Sequence, residues 1–90
     1  MQTIWKFPLG YEGDLRFEVR VPVGAAPLRV DFDTQGELVL WAQVDPEERL
    51  EEATVTVVGT GSPIPEGAGR HVSTFFSEPF VFHAYFAVSA

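Results

Sequence analysis

The residues best suited to chemistry lie in one long loop and at the start of the strand that follows it. Residues 59–70 read GTGSPIPEGAGR, and His71 comes next. A guanidinium can grip a carboxylate or a phosphate through two hydrogen bonds, and an imidazole titrates near neutral pH. Because long loops on rigid scaffolds often carry binding sites, we hypothesise that this loop presents four side chains to a ligand or partner. They are Ser62, Glu66, Arg70 and His71.

The same loop also has a purely structural interpretation. Its glycines would supply backbone conformations with positive φ, while Pro63 and Pro65 would stiffen the connection. Arg70 would then form an ion pair with a carboxylate such as that of Glu66. The glycine spacing does not match a phosphate-binding loop, because neither GxxxxGK[ST] nor GxGxxG before a helix is present. The sequence leaves both interpretations open.

Catalytic and metal-binding patterns are missing from the sequence. The chain has no cysteine, and no serine lies in the GxSxG pattern of a hydrolase nucleophile. His71 and His83, on neighbouring predicted strands, could approach each other, but they lack the spacing typical of zinc sites. We therefore predict a protein that is not an enzyme and that holds no metal or cofactor.

Length and charge narrow the class of protein. The chain has 90 residues, 46% of them hydrophobic, which suits one domain over residues 1–90. Its net charge of −7 argues against direct nucleic-acid binding, which requires Lys and Arg to displace counterions. No signal peptide and no run of about 18 apolar residues is visible. Together with the absence of cysteine, this predicts a cytoplasmic protein with no membrane contact.

Alternation of apolar and polar residues predicts seven strands separated by turns. The predicted strands span residues 3–9, 15–21, 28–32, 37–44, 53–58, 71–76 and 80–88. Turn signals include residues 10–14 and a hairpin turn at residues 33–36. The pattern predicts an all-β fold, a small antiparallel β-sandwich or barrel. At most one short helical turn is expected near residues 46–51, where Asp45 is a candidate N-cap.

Two predicted strands, 37–44 and 80–88, are apolar on both faces. Such strands are typical of the centre of a sheet or of an interface between chains. We therefore predict that the protein associates with itself through side chains on these strands. The candidate interface residues are Val39, Trp41, Val81, His83 and Tyr85.

Five segments form a compound pattern that extends over almost the whole chain. They are IWK at 4–6, LWAQVDP at 40–46, VVGTGSPIP at 57–65, GRHVSTF at 69–75 and VFHAYF at 81–86. The pattern resembles an uncharacterised family of small proteins encoded by tailed bacteriophages and prophages. This resemblance implies a phage origin but assigns no role to any residue. With no Asn and five Arg to one Lys, the composition suits a host that is thermophilic or has a GC-rich genome.

These observations favour a small binding or interaction module that engages itself and a host or phage macromolecule. We expect it in the cytoplasm of an infected cell. One alternative is an oligomer that binds an anionic small molecule, such as a nucleotide, at the loop of residues 59–71. Another is a minor structural protein of the virion.

Overall fold

A computed structural model describes residues 1–10 and 15–89. Within these ranges the chain forms seven β-strands and no helix, which confirms the predicted all-β fold. The strands are β1 (Thr3–Pro8), β2 (Arg16–Pro22), β3 (Ala26–Phe32), β4 (Leu38–Val44), β5 (Leu50–Gly59), β6 (Arg70–Ser77) and β7 (Phe80–Val88). Most of the turn predicted at residues 10–14 lies outside the described residues.

The strands form two antiparallel sheets that pack face to face. The three-stranded sheet has the order β1-β4-β3, and the four-stranded sheet has the order β2-β5-β7-β6. Alternation along each strand directs apolar side chains inward, as expected for a sandwich. The core shared by the two sheets contains Phe17, Val19, Val21, Val30, Leu38, Leu40, Ala42, Val44, Ala53, Val55, Val57, Phe75, Ala84 and Phe86.

The two strands that are apolar on both faces lie inside their sheets. Strand β4 is flanked by β1 and β3, and β7 is flanked by β5 and β6. A central position is one of the two explanations that the sequence allowed for such strands. Pro8 lies at the end of edge strand β1, where its missing N–H costs no ladder hydrogen bond.

The predicted hairpin turn at residues 33–36 joins β3 to β4. The N–H of Gly36 donates to the carbonyl of Asp33 at 3.0 Å. The Asp33 carboxylate also accepts from the N–H groups of Gln35 and Glu37, each at 2.9 Å. Aspartate at the start and glycine at the end therefore act as turn chemistry predicts.

The acidic segment after β4 is a tight turn, not a helical one. The N–H of Glu48 donates to the carbonyl of Asp45 at 3.1 Å, and the Asp45 carboxylate accepts from the N–H of Glu47 at 3.0 Å. Strand β5 begins at Leu50 because residues 50–52 pair with residues 20–22 of β2. The partner strand thus extends β5 beyond the start that its own alternation predicts. None of the described residues forms a helix with the length and hydropathy that a membrane crossing requires.

Candidate functional site

The Gly/Pro loop of residues 60–69, here called the crossover loop, folds back over the outer face of β5. Strands β5 and β6 run in the same direction with β7 between them, so the chain must return along the sheet before β6 can begin. The loop does this without packing tightly on the sheet. It leaves a cavity of about 540 Å³, the loop cavity, between itself and strands β5 and β2. Its lining residues are Leu15, Arg16, Thr54, Thr56, Val57, Val58, Gly59, Ser62, Pro63, Pro65, Glu66, Gly67 and Ala68.

Three side chains on the outer face of β5 lie against the loop cavity. Thr54 and Thr56 are each 7% exposed, and Val58 is 6% exposed. The outer face of a sandwich strand is normally solvated, but here β5 lies between β2 and β7 and beside the crossover loop, and both surroundings cover these side chains. Among the described residues, neither threonine hydroxyl has a protein hydrogen-bond partner. In the same residues, every polar side-chain atom that is fully shielded from solvent does have a hydrogen-bond partner. The two hydroxyls therefore remain accessible from the cavity.

The C-terminal end of the crossover loop is held by close packing on β7. Ala68 is 5% exposed. At Gly69 the backbone has a φ of +93°, and a Cβ there would collide with the carbonyl oxygen of Phe86 and lie 2.8 Å from Cβ of Ala87. Only glycine fits this position, because it combines a left-handed backbone with a close approach to the neighbouring strand. Gly69 therefore allows the end of the crossover loop to lie close against β7.

The N-terminal end of the loop is held by hydrogen bonds to β7. Both the N–H and the hydroxyl of Thr60 lie within hydrogen-bonding distance of the Val81 carbonyl, at 3.1 and 3.2 Å. The same hydroxyl lies 2.8 Å from Nε2 of His83. Nδ1 of His83 lies 2.9 Å from the hydroxyl of Thr74, which is 3.4 Å from Nε2 of His71. A polar row on the outer face thus connects β6 and β7 to the first residue of the loop.

The directions of these hydrogen bonds follow from counting protons. Thr60 has one hydroxyl proton, and if it donates to the Val81 carbonyl it must accept from Nε2 of His83. In the neutral ring Nδ1 then accepts from the Thr74 hydroxyl. The row therefore favours the tautomer of His83 that carries its proton on Nε2.

Two opposite charges line the loop cavity without pairing with each other. Arg16 belongs to β2, and Glu66 belongs to the crossover loop. In the part of the chain that the structure describes, the ion pairs are Lys6–Asp33 and Arg29–Asp31, both on the other sheet. The guanidinium of Arg16 and the carboxylate of Glu66 are exposed and keep their hydrogen-bonding capacity. Among its described lining residues, the cavity thus offers one cationic and one anionic group.

The structure divides the four residues predicted as one binding site. Ser62 and Glu66 line the loop cavity. Arg70 lies at a separate cavity of about 310 Å³ beside Pro27 and Phe86. His71, the next residue, packs edge-on against Tyr85 with ring centroids 5.4 Å apart. Successive strand residues point to opposite faces, so Arg70 and His71 are directed to different faces of the sheet.

The ion pair that the structural interpretation assigned to Arg70 and Glu66 is also not formed. Within the described residues, no carboxylate lies in ion-pair contact with Arg70. The two side chains line different cavities on different faces of the sheet. Arg70 and Glu66 are close in the sequence, but the direction of the Arg70 side chain on its strand keeps the two charges apart.

The candidate interface residues lie on two different surfaces. Val39 is completely buried within the chain, so it presents no surface to a partner. Trp41 is half-buried on the outer face of the three-stranded sheet, beside Ile4 and Leu28. The remaining three residues, also half-buried, belong to β7 in the four-stranded sheet. They are Val81, His83 and Tyr85.

Sequence reasoning missed the residues opposite the loop. Thr54 and Thr56 alternate with valines, a pattern that predicts a solvated face. Leu15 and Arg16 stand at the start of β2, far from the loop in the sequence. The available signal was the length of the crossover loop, since a connection of this length can fold back over the strand that precedes it.

His71 and His83 lie close together, but outside any described group of side chains suited to a metal ion. The rings of His71 and His83 approach to 6.4 Å between centroids, as adjacent strands allow. Among residues 1–10 and 15–89, no group of three or more His, Cys, Asp or Glu side chains is placed to hold a metal ion. Thr74 lies between the two imidazoles as a shared hydrogen-bonding partner.

The fold and the cavity define a small two-sheet β-protein whose crossover loop covers a cavity lined by apolar groups and a few polar ones. Residues 1–90 match the family described as domain of unknown function DUF7352, and the chain belongs to this family. No curated protein matches the chain, and no solved structure matches it either.

Proposed function

We propose that this protein is a non-enzymatic binding module that holds a small ligand in the loop cavity. The observation that carries the proposal is the pair of hydroxyls of Thr54 and Thr56, which line the cavity, remain accessible from it and have no protein hydrogen-bond partner among the described residues. Each hydroxyl can donate one hydrogen bond and accept others, so a ligand with matching polar groups can bind to both. The cavity volume of about 540 Å³ also lies within the usual range for small-molecule sites.

The lining of the cavity favours the binding of a ligand over a purely structural role for the crossover loop. Apolar groups come from Val58, Pro63 and Pro65, and polar groups come from the threonines and Ser62. Ligand sites typically combine an apolar wall with a few placed polar groups. The loop is held at both ends, at Thr60 and Gly69, so the cavity between them is preformed.

The experiment is an NMR screen of the full chain with a panel of amino acids, sugars, nucleosides and short peptides. We expect at least one class to shift the amide signals of Thr54, Thr56 and the crossover loop in a saturable manner. Thr56→Val keeps the shape of the side chain but removes its hydroxyl, so it should weaken this binding. Thr3→Val, on β1 far from the cavity, is the matched control. If no compound shifts the cavity signals, the proposal is wrong.

Self-association is a second candidate function, carried by the exposed face of the three-stranded sheet. Trp41, Ile4 and Leu28 surround a shallow depression of about 430 Å³ there, and Ile4 is 58% exposed. An exposed apolar patch of this kind suits a contact between proteins. The occupant favoured here is a second copy of the chain, because a symmetric pair would cover the same face on both molecules.

Light scattering on a sizing column at several concentrations tests self-association. Leu28 and Leu50 are each 46% exposed, but only Leu28 lies beside Trp41. Leu28→Lys should therefore dissociate an oligomer that Leu50→Lys leaves intact. A wild-type mass equal to that of the monomer at every concentration would exclude this candidate.

The setting in which the module acts is also part of the proposal. The resemblance of residues 40–46 and 57–65 to small phage proteins supports a role in the cytoplasm of an infected bacterium, alongside a host or phage macromolecule. Mass spectrometry of infected cells and of purified particles would test this. Enrichment in the particles would favour a structural protein of the virion instead.

A further inference from the structure

We infer that the loop cavity takes a small zwitterion, namely a free apolar amino acid or a dipeptide, which Arg16 and Glu66 hold by its two charged ends. This inference rests on the proposed function and names the ligand class for the same site. It differs from the nucleotide-like anion that the sequence offers as one alternative, because Arg70 lies at a separate cavity.

The charges that line the cavity favour a ligand with one charge of each sign. Arg16 is the only cation and Glu66 the only anion among the described lining residues, and they do not pair with each other. A guanidinium binds a carboxylate through two hydrogen bonds, and a carboxylate accepts from an ammonium. A zwitterion satisfies both groups. A polyanion would meet one cation, would be repelled by Glu66 and would approach a chain of net charge −7.

The threonines suit a ligand with polar groups between its charged ends. Thr54 and Thr56 lie two residues apart on one face of β5, so their Cα atoms are separated by about 6.6–6.8 Å. Each hydroxyl can donate one hydrogen bond and accept others. An extended peptide repeats its own polar groups at the same interval. A dipeptide lying along β5 can therefore place an amide near one hydroxyl and a terminal group near the other.

The apolar part of the lining determines what the ligand's side chain should be. Leu15, Val58, Pro63 and Pro65 contribute hydrocarbon surface to the cavity and carry no charge. A branched aliphatic side chain would bury apolar area against these residues. Leucine and a dipeptide ending in leucine are therefore suitable probes.

The test is an NMR titration of the full chain with L-leucine and L-alanyl-L-leucine. N-acetyl-L-leucine, which lacks the ammonium, and L-leucinamide, which lacks the carboxylate, are the matched ligands. We expect saturable shifts at Thr54, Thr56 and the crossover loop with the zwitterions. Loss of either charged end should weaken binding by about tenfold or more.

Two variants assign the charged ends to their partners. Arg16→Gln should abolish the preference for leucine over leucinamide, and Glu66→Gln should abolish the preference for leucine over its acetylated form. Arg20→Gln is the control, since Arg20 lies on the same face of β2 but does not line the cavity. Unfolding midpoints of all variants would show that each one still folds.

The outcomes separate this inference from the proposed function. Shifts at the cavity with sugars or nucleosides but not with the zwitterions would overturn the inference and leave the binding module standing. Zwitterion binding that survives both Arg16→Gln and Glu66→Gln unchanged would also overturn it. If no compound of any class shifts the cavity signals, both are wrong.

Discussion

The side chain of Ser73 makes both hydrogen bonds that a neighbouring strand would make to the backbone of Val30. The N–H of Val30 donates to Oγ of Ser73 at 2.9 Å, and the Ser73 hydroxyl donates to the carbonyl of Val30 at 2.9 Å. The two residues belong to different sheets, on edge strands β3 and β6. Ser73 lies at an irregularity in the pairing of β6 with β7, which moves the strand out of regular register. One hydroxyl therefore joins the two sheets along this side of the sandwich.

Replacing this hydroxyl should destabilise the fold. Val30 is completely buried, so Ser73→Ala would leave its N–H and carbonyl without partners. We expect the free energy of unfolding to fall by about 1–3 kcal/mol. Ser77→Ala, on the same strand, is the control, and it should change stability by less than about 0.5 kcal/mol. Chemical denaturation measures both, and equal losses in the two variants would contradict the role assigned to Ser73.

Alanine substitutions at two glycines of the crossover loop distinguish the cost of backbone strain from the cost of a steric collision. Gly61 and Gly69 share a φ of +93°, but a Cβ at Gly61 would meet nothing within 4 Å. Gly61→Ala should therefore cost only the strain of the backbone, about 1–2 kcal/mol. Gly69→Ala adds a collision with the Phe86 carbonyl and should cost a further 1–3 kcal/mol or so. Similar unfolding free energies for the two variants would show that β7 does not limit the loop.

The hairpin between β3 and β4 should lose stability in acid through Asp33. The N–H of Glu37, followed by the N–H of Gln35 and the ammonium of Lys6, lowers the pKa of this carboxyl below its ordinary value of 3.8, while burial opposes the shift. A lowered pKa in the folded state means that the stabilisation is complete above the unfolded value and is lost as pH falls through the folded value.

The variant Asp33→Asn tests this dependence on pH. The amide oxygen can still accept the two backbone N–H bonds, but the side chain no longer titrates. Unfolding midpoints measured from about pH 6 to about pH 2 should fall more steeply for the wild type than for the variant. Parallel curves in the acid range would show that Asp33 contributes nothing to the loss.

The hydrogen bonds around His83 predict its tautomer. With the Thr60 hydroxyl donating to the Val81 carbonyl, the neutral ring should carry its proton on Nε2. A long-range ¹H–¹⁵N correlation spectrum distinguishes the two tautomers directly. In Thr60→Val the acceptor for Nε2–H is removed, so the other tautomer should gain population. If the neutral wild-type ring carries its proton on Nδ1, the donors and acceptors assigned to the hydrogen bonds of His83 with Thr60 and Thr74 are reversed.

Much of the fold could be predicted because local patterns and tertiary structure agree in most strands. Strand β7 spans the predicted residues 80–88, and its two apolar faces reflect its place between β5 and β6. The largest error is the start of β5, which lies three residues before the predicted position at Ala53. Pairing with β2 extends this strand, and the sequence of residues 50–52 contains no pattern that predicts this pairing.

The candidate site could be predicted only in part. The length and unusual composition of the loop predict Ser62 and Glu66 as candidates, and the structure places both at the loop cavity. Thr54 and Thr56 look like ordinary solvent-facing residues in the sequence, and only the returning loop makes them part of a cavity lining. Arg70 was grouped with His71 because they are neighbours, although neighbouring strand residues face opposite ways.

The sequence by itself determined the strands, the turns and the location of the one long loop, because alternation, Gly and Pro act over a few residues. The tertiary structure decided which strands became neighbours, where the loop lay on the sheet and which side chains it covered. These depend on contacts such as Gly69 against Phe86 and Ser73 against Val30, which join residues distant in the sequence. The cavity with its opposed charges, Arg16 and Glu66, exists only because those contacts form.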